Sequence, residues 1–206
     1  MELKDRIVRE ASALFFTKGV KSMTMSDVAN ELGISKRTLY EVFRDKEELI
    51  ETCVRRHLEK VDREIGALAA HSEDVIDTLM RVYAKNLRNV QNTSKSVLHD
   101  LKKYHASIYQ KIECRQKEGL MAFVPLFNKG IKQGLIREDV NFEILTWLLK
   151  AQFKALMDDE FIPTDKYSTE EFTRAIILNF IRGIATPAGN EKVDKIVAQL
   201  AQEKNQ

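Results

Sequence analysis

Residues 24–40 read Thr24-Met25-Ser26-Asp27-Val28-Ala29-Asn30-Glu31-Leu32-Gly33-Ile34-Ser35-Lys36-Arg37-Thr38-Leu39-Tyr40, two short helical segments joined by a glycine turn. Thr24 is placed to cap the first segment, and Asp27, three residues on, can reach back toward that cap. Ser35 is placed to cap the second in the same way. Val28, Ala29 and Leu32 recur at helical spacing and supply an inward face. Gly33 stands where a Cβ would be costly, and Ile34 and Leu39 close a small core. Lys36, Arg37, Thr38, Tyr40 and Glu41 are left pointing outward on a second helix of about two turns. Two capped helices, a short turn and a basic outer face make up the layout of a helix-turn-helix that reads DNA.

The flanks extend this reading. A first helix is expected over residues 3–17, with Ile7, Ala11, Leu14 and Phe15 inward and its end at Gly19, where Val20 and Met23 pack back. A fourth helix is expected to begin just after Asp45, whose carboxylate caps it with Glu48 at the third helical position. Its stripe of Leu49, Cys53, Leu58, Val61, Ile65 and Leu68 runs far beyond a small domain. Such a helix is a mechanical link between Lys46 at its start and whatever its later turns pack against.

On these residues the chain resembles the TetR family of bacterial transcriptional regulators over residues 7–50. Ile7, Ala11, Leu14, Phe15 and Gly19 match the family's first helix. Thr24, Asp27, Val28, Ala29, Leu32, Gly33 and Ile34 match its second helix and turn; Ser35, Thr38, Leu39, Tyr40, Phe43, Lys46, Glu47 and Leu49 match its third helix and the start of its fourth. The resemblance implies a homodimer whose third helix enters the major groove. Thr24 then approaches phosphate, Tyr40 and Lys46 anchor the backbone, and Lys36 and Arg37 face base edges. The chain departs from common members at Glu41 and Val42, where an aromatic residue and a histidine are frequent. Ser35 and Thr38 complete the expected DNA-binding set.

Composition limits how far long-range electrostatics can act. Lys and Arg number 33 against 31 Asp and Glu, a net charge of +2, so affinity for DNA has to come from local placement. Lys36, Arg37, Arg44 and Lys46 provide it, interrupted by Glu41, Asp45, Glu47 and Glu48. No signal peptide or membrane span is visible, and a cytoplasmic location is expected. Cys53 and Cys114 are far apart and read as buried or half-buried thiols, with a redox switch as the lesser alternative.

The rest of the chain reads as long helices, over 73–90, 94–102, 104–129, 140–158, 168–187 and 190–203, with Ser168 and Glu171 as a capping box. The fold class is all-α: a helix-turn-helix domain over 1–46, then a helical ligand-binding and dimerisation bundle over 47–206. The two most apolar helices carry Phe142, Leu145, Leu148, Leu149, Phe153 and Leu156, and Phe172, Ile176, Ile177, Phe180, Ile181 and Ile184. Their faces suit an intermolecular four-helix contact, for which Leu145, Leu149, Phe153, Phe172, Ile176, Phe180 and Ile184 are the candidates. Ordinary intramolecular core is the competing reading.

The family likeness implies a small-molecule effector in a cavity of this bundle. Tyr83, Leu87, Tyr104, Ile108, Phe123, Phe127, Trp147 and Phe153 are the candidate lining, with Asn86, His105, Gln116 and Gln152 as polar handles, and as a set they suit an apolar or aromatic ligand. An enzyme is disfavoured. His57, His71, His99 and His105 lack metal-ligand spacing, no phosphate-binding glycine loop or serine elbow occurs, and Asp158-Asp159-Glu160 reads as a solvated helix end. No cofactor is expected. The combined expectation is a dimeric repressor released from an inverted-repeat operator by such an effector. An activator of the same fold, or a helical interaction protein that does not bind DNA, stand as alternatives.

Overall fold

A computed structural model of the chain describes residues 2–92, 95–121, 123–156 and 166–203. Among these the secondary structure is eleven α-helices and a single isolated bridge between Ile136 and Ala185. The helices are α1 (Leu3–Lys18), α2 (Met25–Glu31), α3 (Lys36–Val42), α4 (Lys46–Ala70), α5 (Val75–Asn92), α6 (Lys95–Tyr104), α7 (Ala106–Met121), α8 (Val124–Lys132), α9 (Phe142–Leu156), α10 (Thr169–Ile184) and α11 (Pro187–Glu203). The 104–129 segment, read from its periodicity as one helix, is two. Pro125 lies in the first turn of α8, where its missing N–H costs nothing; further inside a continuous helix it would remove a hydrogen bond and clash with the preceding turn.

Packing divides the chain into two compact units, one within Met1–Arg63 and Asn92–Gln116, the other within Glu64–Gln91 and Lys117–Gln206. This division differs from the boundary after residue 46 read from the sequence. Ile7, Val8, Ala11 and Phe15 of α1 meet Val28, Ala29, Leu39 and Phe43, and that core also contains Leu49, Ile50 and Cys53 of α4, Val97 and Leu101 of α6, and Ile108 and Ile112 of α7. Phe43, Leu39 and Leu49 are fully buried, each worth about 1.5–3 kcal/mol of apolar transfer. Three apolar stripes from distant sequence thus complete a core too small to close on three short helices alone.

The second unit is built on α5, whose Val75, Ile76, Leu79, Met80 and Tyr83 are buried with Phe127 of α8, Ile177, Ile181 and Ile184 of α10, and Val193 of α11. Asp74 starts α5: its carboxylate accepts the N–H groups of Ile76 and Asp77 at 2.9 and 3.1 Å and also binds the Lys192 ammonium. Leu135 O accepts the Thr186 N–H at 3.0 Å. Gly189 of α11 sits so close to this strand-like turn that a Cβ there would lie 2.3 Å from Leu135 O.

Candidate nucleic-acid interface

The two short helices owe their ends to side-chain caps. Thr24 Oγ1 accepts the Asp27 N–H at 3.2 Å, and the Asp27 carboxylate accepts the Thr24 N–H at 2.8 Å and its hydroxyl at 2.6 Å. Hydrogen bonds from the Thr24 side chain and then its backbone hold the Asp27 carboxyl below its usual range. Thr24 is therefore engaged with its own helix. Gly33 has φ +64°, a left-handed conformation that a Cβ disfavours, and it turns the chain toward Ser35. Ser35 Oγ accepts the Thr38 N–H at 2.9 Å and lies 2.8 Å from the Thr38 hydroxyl.

Leu39, fully buried, seats α3 on the core and leaves Lys36, Arg37, Tyr40 and Glu41 exposed. Arg37 Nε donates to Glu41 Oε1 at 3.0 Å, and Lys36 Nζ lies 5.9 Å from the Tyr40 ring centre. Both contacts are solvated and weak enough to exchange for a DNA partner, since exposed ion pairs contribute about 0–1 kcal/mol and exposed cation–π contacts about 0.5–1 kcal/mol. Asp45 caps α4 through the Glu48 N–H at 2.8 Å, while Glu48 reaches back to the Arg44 N–H at 2.9 Å, one residue earlier than a standard box. Lys46 is half-buried at the start of α4. Burial pulls its ammonium below the usual value, against the opposing carboxylates of Asp100 and Asp27.

Asp100 is where periodicity alone was silent. It is buried on α6, and its carboxylate accepts the Lys21 N–H at 2.8 Å, in the loop that leads to Thr24. One turn later Tyr104, expected to line a ligand cavity, is 44% exposed. Hydrogen bonding from Lys21, with Lys103 beside it, holds the Tyr104 phenol below its usual range. A tyrosine between two lysines on a helix end carries no distinctive spacing.

The other candidate lining residues are not brought together as one set. Ile108 is buried in the first unit, where with Val54 and Leu58 it floors a cleft of about 270 Å³ rimmed by Glu51, Arg55, Glu59, Lys111 and Arg115. Phe127 is buried in the second unit, stacked on Phe142 at 4.5 Å and near Phe123 and Phe180 at 6.4 and 6.3 Å. Tyr83 is buried in the same core, and Phe153 packs at its margin. Trp147 is 49% exposed, with Lys150 Nζ 5.4 Å from its ring, and so lies outside any interior pocket. The side chains of Leu87, Asn86 and Gln116, and residues 158–160, lie outside the described residues. His105 is half-buried in the first unit and Gln152 is exposed. Thr173 is wholly buried, and its hydroxyl has no hydrogen-bond partner among the described residues.

Of the candidate dimer residues, Ile184 is buried within the subunit, and Leu145, Phe153 and Phe180 pack against its core. Leu149, Phe172 and Ile176 are half-buried. The apolar stripe turned outward is instead Ile144, Trp147 and Leu148 of α9, 56%, 49% and 53% exposed, continued by exposed Ala151. No group of three His, Cys, Asp or Glu side chains that could hold a metal ion occurs among the described residues. No helix among them is long and apolar enough to cross a membrane.

Comparison with known proteins agrees with this geometry. The sequence pattern of the bacterial regulatory proteins, tetR family, matches residues 7–53. The chain is 26% identical over 182 residues to the HTH-type transcriptional regulator YvaF of Bacillus subtilis, covering 87% of this chain and 94% of YvaF. It is also 26% identical over 157 residues to the HTH-type transcriptional repressor KstR2 of Mycobacterium tuberculosis, covering 69% and 73%. The fold is similar to the solved structure of that ketosteroid transcriptional regulator, with TM-score 0.60, 18% identity and 90% and 96% coverage. It is similar also to a regulator from Saccharomonospora viridis in complex with choline, with TM-score 0.72, 18% identity and 89% and 97% coverage. With a capped helix-turn-helix at its N-terminal end and an all-α fold shared along its length with such regulators, the chain belongs to the TetR family of helix-turn-helix transcriptional regulators.

Proposed function

We propose that this regulator is a homodimeric repressor that binds an inverted-repeat operator and is released from it by a small apolar or aromatic effector. The observation that carries the DNA reading is α3, anchored by one buried residue, Leu39, and free on the face that holds Lys36, Arg37 and Tyr40. In this reading Lys36 and Arg37 meet base edges, Tyr40 and Lys46 hold phosphate, and Thr24, Ser35 and Thr38 set the helix ends that aim them. Residues 1–46 are the DNA-binding part, and residues 47–206 serve effector binding and dimerisation.

The second copy is assigned to the outward stripe of α9, with Phe172 and Ile176 of α10 at its border. Ile144, Trp147 and Leu148 exposed side by side would leave a large apolar patch in water, and burial against the same patch of a second subunit removes it. The effector is assigned to the aromatic interior of the second unit, where Tyr83, Phe123, Phe127 and Phe153 lie, with the buried Thr173 hydroxyl, which has no hydrogen-bond partner among the described residues, as the polar handle. KstR2 is described as a ketosteroid regulator and the S. viridis protein holds choline, so the fold admits unlike ligands. The aromatic and apolar lining here suits an apolar or aromatic ligand.

Protection mapping on the chain's own upstream region tests the reading. Two protected half-sites related by a dyad, spaced by about one helical turn or a multiple, are expected. A single half-site bound by one subunit contradicts it.

A further inference from the structure

Beside the helix-turn-helix lies a second basic surface that none of the roles above uses. Tyr104 ends α6, four residues after Asp100 and so on the same helix face. Asp100 fastens that face to the Lys21 N–H at 2.8 Å, three residues before Thr24. The Lys21 and Lys103 ammonium groups lie 5.0 and 5.5 Å from the Tyr104 ring centre, and all three side chains are exposed. Among the described residues no carboxylate forms a salt bridge with Lys21 or Lys103. Among the described residues Asp100, itself buried, is the acid that faces Lys21, and it also faces Lys46. Lys21 and Lys46 therefore share one carboxylate of α6, and Lys103 joins Lys21 at the Tyr104 ring, beside the elements assigned to DNA. The cleft floored by Val54, Leu58 and Ile108 is a weaker candidate, because Arg55, Lys111 and Arg115 on its rim are already paired with Glu59, Glu51 and Asp62.

We propose that Lys21, Lys103 and Tyr104 form a phosphate-contacting site for duplex DNA next to the helix-turn-helix, so that α6 touches the operator backbone itself. Two ammonium groups held over a phenol present two positive charges and a hydroxyl donor on one exposed face. That is the chemistry that recognises a phosphodiester without reading sequence. Lys46 faces the same Asp100 carboxylate as Lys21, and the positive charge of the Lys21, Lys103 and Tyr104 face complements a duplex backbone. The proposal rests on the DNA-binding reading and adds contacts outside residues 24–46.

The test is the salt dependence of binding by the full chain to a fluorescent random-sequence duplex of about 40 base pairs, roughly four helical turns. The K21A/K103A variant is expected to flatten the plot of log affinity against log salt by about 0.9 for each phosphate that is no longer neutralised. Its thermal midpoint should stay unchanged, and the K21R/K103R variant should keep the wild-type slope. If the wild type fails to bind any duplex, the DNA-binding reading itself fails. If the wild type binds and K46A flattens the slope while K21A/K103A does not, the α6 site is refuted and the helix-turn-helix reading stands. A flattening that arginine does not restore also overturns the proposal, since it assigns the loss to packing of Tyr104 rather than to charge.

Discussion

Arg37 is the side chain at which the proposed reading separates sequence choice from affinity. Its Nε–H is held by Glu41 in the free protein, which leaves the two terminal nitrogens as donors for a base. Arg37→Ala should compress the difference between operator and mutated operator by about 1–3 kcal/mol if the contact is bidentate. Lys46→Ala should instead weaken all duplexes alike and lower the salt slope by about one. Competition titrations with the two duplexes distinguish these outcomes, and equal losses on both duplexes for Arg37→Ala would remove its assigned role. Cys53 makes a contrasting case. Burial, against a smaller pull from Ser12, pushes its thiol from about 9 up to about 11, and it donates weakly to Val8 O at 3.6 Å. Iodoacetamide at pH 8 should label exposed Cys114 and leave Cys53 unmodified until the chain unfolds. Because the folded pKa is the higher one, the stability tied to Cys53 is intact below the unfolded value and is lost as pH rises toward 11.

Among the helices, α5 and α11 depend on contacts that lie far apart in the chain. Burial alone would raise the Asp74 carboxyl, but the Lys192 ammonium and the Asp77 and Ile76 amides outweigh it and the group sits below its usual range. A lowered carboxyl contributes stability above its unfolded value and loses it as pH falls through the folded one. Asp74→Asn should therefore cost about 1.5 kcal/mol at neutral pH, the low end for a charged hydrogen bond because Lys192 is half-exposed. It should also flatten the acid limb of the stability curve, which urea titrations at several pH values will show. Gly189→Ala tests packing rather than charge. The added methyl would meet a backbone carbonyl at 2.3 Å, so α11 has to shift, at a cost of about 1–3 kcal/mol by the same titration. A wild-type midpoint would show that the turn at Leu135 yields freely.

For the assembled regulator, dimerisation and release are the properties at stake. Trp147→Lys with Leu148→Lys places charge in the outward stripe of α9 without touching the subunit core, so sedimentation should show folded monomers with helical content unchanged. A persistent dimer would move the interface elsewhere. An effector can release DNA only by binding the DNA-incompetent arrangement more tightly, and a shift from 99:1 to 1:99 takes about 5.5 kcal/mol of preference. We assign the lever to α4, which carries Lys46 at its start and packs Leu58 against the core that holds Ile108. A screen of apolar compounds for thermal stabilisation and loss of operator binding tests this. Binders that stabilise the protein yet leave operator affinity unchanged in every case would exclude the release mechanism.

The helix-turn-helix was legible in residues 24–40 because its determinants are local. A cap acts over three residues, a left-handed turn over one, and a two-turn helix exposes what its few apolar residues do not bury. Helical periodicity likewise revealed the bundle, Ser168 with Glu171 marked a helix start, and only Pro125 divided a span read as continuous. Partner choice among helices was not legible in the same way. An apolar stripe states that a face is buried but not by what, so nothing in Val97, Leu101, Ile108 or Ile112 announced that they complete the core beneath α1 and α4. For the same reason Trp147 and Tyr104, read as cavity residues from their type, are exposed, and Ile184, read as an interface residue, lies inside its own subunit. Burial is a property of three-dimensional neighbours, and contacts such as Lys21 with Asp100, 79 residues apart, exist only once the chain has closed on itself.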